Sequence, residues 1–81
     1  MADEILGLKA WRRRRLLTIR SLATAAGVTT KTVVEIEAGR RTPRPGTIRA
    51  LSGVLGVAPE RVIEFRTAMG FPVEEEDSDE G

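Results

Sequence analysis

Thr30, Lys31, Val34 and Glu35 fall within one short stretch, and their side chains suit the edges of DNA base pairs. Lysine donates to guanine O6 and N7, and glutamate accepts from cytosine N4. Threonine bonds a base or lays its methyl on that of thymine, and valine meets the same methyl. With Thr29 at the head of the stretch, they form a candidate base-reading set that points to a G/C-containing half-site. Other roles stay open for two of them. Lys31 can contact a phosphate instead. Glu35 can pair with Lys31 one helical turn away, or repel phosphates and so reject wrong sites.

The charge around that stretch is lopsided. From Leu8 to Arg49 there are eleven Lys and Arg against two Glu, an excess of nine. The net charge of +1 hides this, because six acidic residues follow between Glu74 and Gly81. A basic domain with an acidic tail is a pattern of nucleic-acid binding. Catalysis has little to work with. The chain has no cysteine and no histidine, and no Gly-rich loop to cradle phosphate, so no enzyme, metal or cofactor is expected. No run is apolar enough for a membrane span and no signal peptide opens the chain, so a cytoplasmic protein held at the nucleoid by DNA is expected. Asn and Gln are absent and Arg outnumbers Lys eleven to two, which suits either a heat-adapted or a GC-rich source.

A base-reading helix needs a second helix to brace it. Ala23, Gly27, Val33 and Ile36 stand at the spacing of a helix-turn-helix. Ala23 lets two helices cross closely. Gly27 accepts the positive φ of the turn without a Cβ penalty. Val33 and Ile36 return one face of the second helix to the core. Thr18 and Thr29 each stand at an N-cap, and Leu17 with Leu22 and Val28 with Val33 fit hydrophobic staples. At 81 residues the chain is one domain with a modest core and a small stability margin. Five helices are expected: from Asp3 or Glu4 to Arg15, Ile19 to Ala26, Thr30 to Ala38, Gly46 to Leu55, and Pro59 to Met69. Gly39, Gly56 and Gly70 stop three of them, and Pro43 and Pro45 keep the segment after helix 3 a loop. The domain covers 1–70. The tail, 71–81, is acidic, poor in large apolar groups and expected to be disordered.

From Leu8 to about Glu64 the chain resembles the phage repressor and Cro (XRE) family of helix-turn-helix domains. Leu22-Ala23, Gly27-Val28-Thr29, Ile36-Glu37-Ala38-Gly39, Arg41-Thr42-Pro43, Thr47-Ile48 and Leu51 through Leu55-Gly56-Val57 carry the resemblance. It implies an all-α, compact five-helix, lambda-repressor-like DNA-binding domain with helix 3 in the major groove. It places the loop after helix 3 beside the DNA backbone, so Arg40, Arg41, Thr42 and Arg44 are the expected phosphate contacts, with Arg20, Arg13 and Arg14 as further candidates. It also matches Arg12 and Glu37 to a charged pair tying helix 1 to helix 3, a structural role. Three residues depart from the family. Leu16 stands where a Gly often ends helix 1. Ile19 replaces a Gln that contacts phosphate. With no amide side chain anywhere, adenine reading through Gln is closed.

Trp11, one helical turn from Leu8, reads as core. Val62, Phe65 and Met69 form a stripe at i, i+3, i+7, and Phe65, Met69 and Phe71 are the expected self-association residues; a C-terminal turn folding back on its own core is the other reading. Regulators of this class bind symmetric sites as dimers. The expected function is a sequence-specific transcriptional regulator, a repressor acting as a dimer on a palindromic operator. The alternatives are an antitoxin or accessory module that uses the fold to hold a toxin or other protein partner, and a fragment of a larger regulator. The acidic tail can aid solubility or compete with phosphates for the basic face. It lacks the glycine and spacing of a calcium loop.

Overall fold

The computed structural model describes residues 4–70. The chain is all-helical, with α1 at Leu8–Arg14, α2 at Ile19–Ala26, α3 at Thr30–Glu37, α4 at Pro45–Leu55 and α5 at Ile63–Met69. A single 3-10 turn, Pro59–Arg61, precedes α5. No strand occurs among the described residues beyond one parallel bridge between Leu6 and Val62. Phe71 and the rest of the expected tail lie outside the described residues.

Each turn of the helix-turn-helix has a local cause. The Thr18 hydroxyl accepts from Ser21 N at 3.0 Å, while Ser21 Oγ accepts from Thr18 N at 2.8 Å, a reciprocal cap on α2. Gly27 ends α2 at φ 73°. Val28 N then donates to Ala23 O at 3.0 Å, so the last turn of α2 is satisfied as the chain reverses into α3. Ala23, Val33 and Ile36 are all buried, as their spacing predicts. Here α2 packs against both α3 and α4. Leu8, Trp11, Leu22, Leu51, Leu55, Val62 and Phe65 fill the remaining core.

Helix α1 begins at Leu8, later than the expected start at Asp3 or Glu4. Tertiary pairing overrides local preference there. Leu6 N donates to Arg61 O at 3.0 Å and Ile63 N donates to Leu6 O at 2.9 Å, which holds Leu6 extended. Gly7 offers no side-chain cap. The Glu64 carboxylate, 56 positions away, accepts from Leu8 N at 2.8 Å in its place. The same bridge breaks the expected fifth helix. Val62 is extended (φ −110°, ψ 120°) between the 3-10 turn and α5. Residues 59–69 are therefore not one continuous helix.

At the end of α1, Leu16 takes the left-handed conformation that a glycine would favour, with φ 60°. Leu16 N donates to Arg13 O at 2.9 Å and Leu17 N donates to Arg12 O at 3.1 Å. This pair of bonds is the Schellman closure, so the turn keeps its form despite the missing glycine. The Leu16 side chain is 92% exposed.

Candidate nucleic-acid interface

Buried Val33 and Ile36 fix which side of α3 faces the core. Thr30, Lys31 and Val34 are left exposed and Glu35 half-buried. All four belong to one turn-and-a-half of helix, so the structure keeps these predicted residues on a single accessible surface. Thr29 serves first as a cap. Its hydroxyl accepts from Thr32 N at 3.2 Å and lies 3.0 Å from Thr32 Oγ1.

The brace behind α3 is an ion pair between helices. Arg12 Nε donates to Glu37 Oε2 at 2.7 Å and its Nη2 donates to Glu37 Oε1 at 3.2 Å. Arg12 Nη1 donates to Leu17 O at 2.9 Å. Both side chains are less than a tenth exposed. The fork geometry satisfies both carboxylate oxygens and fixes the rotation of α3 against α1. Arg12 and Glu37 are thus structural, as the resemblance implies.

Beside α3 the loop turns back through Gly39 and reaches α4. Between the two helices lies an open cleft of about 420 Å³, lined by Thr29, Thr32, Arg41, Thr42, Arg44 and Thr47, among others. It gathers two guanidinium groups and four hydroxyls, donors that suit a phosphate oxygen. Thr29, Arg41, Thr42 and Arg44 are brought together there. Thr32 and Thr47 were not singled out as site residues. The signal for Thr32 was its position three residues after the Thr29 cap. Thr47 stands at the matching position of α4, three after Arg44. Arg40 is exposed in the same loop, and Arg20 is exposed on α2. Arg13 lies elsewhere, on a patch with Lys9 and Arg14, and Arg14 is bonded to Glu4.

Glu35 does not pair with Lys31. Arg41 Nε donates to Glu35 Oε1 at 2.8 Å, and Arg41 Nη2 lies 2.7 Å from the same oxygen. The Arg41 hydrogen bond, supported by the charges of Arg41, Lys31 and Arg40, holds the Glu35 carboxyl below the ordinary carboxylate range, outweighing a desolvation effect of opposite sign. A residue expected to read bases and one expected to grip phosphate are joined to each other.

On the other side of the domain, Phe65 is fully buried. It closes this chain's own core and offers no surface for self-association, which corrects the expectation from its place in the apolar stripe. Val62 is buried with it. Met69 is 40% exposed and lines an apolar cleft with Ile48, Ser52, Gly53 and Val57. Among the described residues, no helix is long and apolar enough to cross a membrane.

This arrangement, a capped and braced α3 with an outward polar face beside a basic cleft, defines a helix-turn-helix class of DNA-binding domain. The helix-turn-helix family model matches residues 8–62, and the chain belongs to that family, of the XRE type. The chain is also similar to the uncharacterized HTH-type transcriptional regulator RghRB of Bacillus subtilis (strain 168), at 38% identity over 76 residues. The match covers 91% of this chain and 55% of RghRB, so the chain spans about half the length of that relative. No solved structure matches.

Proposed function

We propose that this chain binds double-stranded DNA sequence-specifically and regulates transcription, acting as a repressor dimer on a palindromic operator. The observation that carries this reading is the exposed face of α3, with Thr30, Lys31, Val34 and Glu35 set beside the basic cleft. Their chemistry matches base edges in the major groove, and the first turns of a recognition helix lie nearest those edges. Thr29 contributes at the cap. Arg40, Thr42, Arg44, Arg20 and Arg13 are the proposed phosphate contacts, which hold register without carrying sequence; Arg41, expected among them, is engaged by Glu35. The family match and the printed name of the relative support regulation of transcription.

A single α3 presents few base-reading side chains, so a palindrome read by two copies supplies the rest. A second copy is the proposed occupant of the apolar cleft at Met69; Phe71, also proposed for self-association, lies outside the described residues. Val57 and Ile48 supply the apolar wall.

Selection from a random double-stranded library at about 150 mM salt tests the whole reading, since charge attraction alone is already well screened there. An enriched palindrome supports it, and its half-site spacing gives the dimer geometry. No enrichment by folded protein overturns it and favours a toxin or other protein partner.

A further inference from the structure

We propose that Glu35 and Arg41 act as one unit that reads a cytosine, with Glu35 Oε2 accepting from the cytosine N4 amino group and Arg41 as its positioning residue. This deepens the DNA-binding reading above and rests on it. A lone carboxylate on a recognition helix is repelled by the phosphates on either side of the groove. Arg41 changes that balance. Its guanidinium is always charged and lies against Glu35, so the pair approaches DNA without net charge.

The geometry divides the two carboxylate oxygens. The Arg41 Nε hydrogen bond and the Nη2 ion-pair contact both fall on Oε1. Among the described residues none donates a hydrogen bond to Oε2, and it belongs to a half-buried side chain on the outward side of α3. The carboxyl stays ionised well into mild acid because of Arg41 and the charges of Lys31 and Arg40. Among the described residues Oε2 is therefore an acceptor with no donor of its own, on a carboxylate held through Oε1 by a hydrogen bond and an ion pair. In the major groove such an acceptor meets an amino group on cytosine N4 or adenine N6, and is repelled by guanine O6 and thymine O4. Adenine carries the N7 acceptor beside its amino group. Cytosine carries no acceptor on that edge. The pair thus selects cytosine.

Arg41 acts through Glu35 rather than as a clamp on the backbone, and the two roles separate experimentally. Removing a phosphate contact weakens binding to all sequences and lowers the salt slope by about one. Removing a positioning residue relaxes one base position, which loss of a phosphate contact does not do.

The test is selection from a random double-stranded library with the wild-type chain, E35A, R41A and R41K, followed by salt titration of binding to the wild-type winner. The expected result is a cytosine at one fixed place in each half-site. E35A and R41A lose that preference and keep the others. R41K, which lacks the planar fork, does not restore it. Replacing that cytosine by N4-methylcytosine, whose methyl takes the groove-facing hydrogen, weakens wild-type binding by roughly tenfold and leaves E35A unchanged. Three outcomes overturn the inference while leaving DNA binding intact. E35A can keep the same preferences. E35A can bind every sequence more tightly with its preferences unchanged, which makes Glu35 a brake. R41A can lower the salt slope with preferences unchanged, which makes Arg41 a clamp. Failure of the wild-type chain to enrich any site overturns the DNA-binding reading itself, and this inference with it.

Discussion

Replacing Leu16 with glycine should make the domain more stable. Leu16 stands at φ 60° in the turn after α1, where its Cβ crowds the following carbonyl at a cost of about 1–2 kcal/mol. Glycine relieves that crowding but enters folding from a freer unfolded chain, which offsets about 0.5–1 kcal/mol. Packing hardly enters. The side chain is 92% exposed, and full burial of a leucine is worth only about 1.5–3 kcal/mol. The backbone bonds from Leu16 N and Leu17 N survive the change. The net gain is about 0.5–1 kcal/mol, which for a domain of this size raises Tm by about 2–8 °C. Trp11 is the single tryptophan and sits in the core, so its fluorescence follows thermal or urea unfolding. Leu16→Ala is the control, because alanine keeps the Cβ. Equal or lower stability in Leu16→Gly, or an equal gain in Leu16→Ala, would refute the strain argument.

Glu37→Ala strands the buried Arg12 guanidinium and should destabilise by about 3–5 kcal/mol. An unchanged urea midpoint would contradict the bracing role of that pair. Ser52 is buried on α4, and its hydroxyl has no hydrogen-bond partner among the described residues. Ser52→Ala removes that unmet group and should be neutral or stabilising by up to about 1 kcal/mol; a loss of more than that would reveal a partner for the hydroxyl. The Glu35 carboxyl titrates below its ordinary value because of Arg41. Since its folded pKa is depressed, its contribution to stability is present at neutral pH and is lost as pH falls through the folded value. Carboxyl NMR should show that low midpoint in the wild-type chain and an upward return in R41A. The same midpoint in both proteins would place the cause elsewhere.

Much of the fold was legible because its signals are local. Ala23, Gly27, Val33 and Ile36 each lie within one turn or two of the next, and the two threonine caps act on residues three positions away. The brace from Arg12 to Glu37 was legible through family resemblance, which encodes contacts that spacing does not. The start of α1 was not. It depends on Glu64 and on the bridge from Leu6 to Val62, and no window around Asp3 or Glu4 contains Val62 or Glu64. The break at Val62 has the same origin. Phe65 illustrates another limit: an apolar stripe states that a face is covered, without stating by what. At the candidate interface, the outward residues of α3 followed from helical period alone. The pairing of Arg41 with Glu35 did not, since it crosses the turn at Gly39 and its geometry is set by the loop.

The bridge between Leu6 and Val62 bears on how the domain is delimited. The stretch matched by the family model, 8–62, stops short of Leu6 at one end and of Ile63, Glu64 and Phe65 at the other. Those four residues supply the clasp that joins the two ends of the described domain, the cap on α1 and the largest fully buried side chain among the described residues. The unit that is recognised is therefore smaller than the unit that folds. Grafting only the recognisable stretch into another protein would transplant the helix-turn-helix without its keystone, whereas a graft of 4–70 carries its own closure.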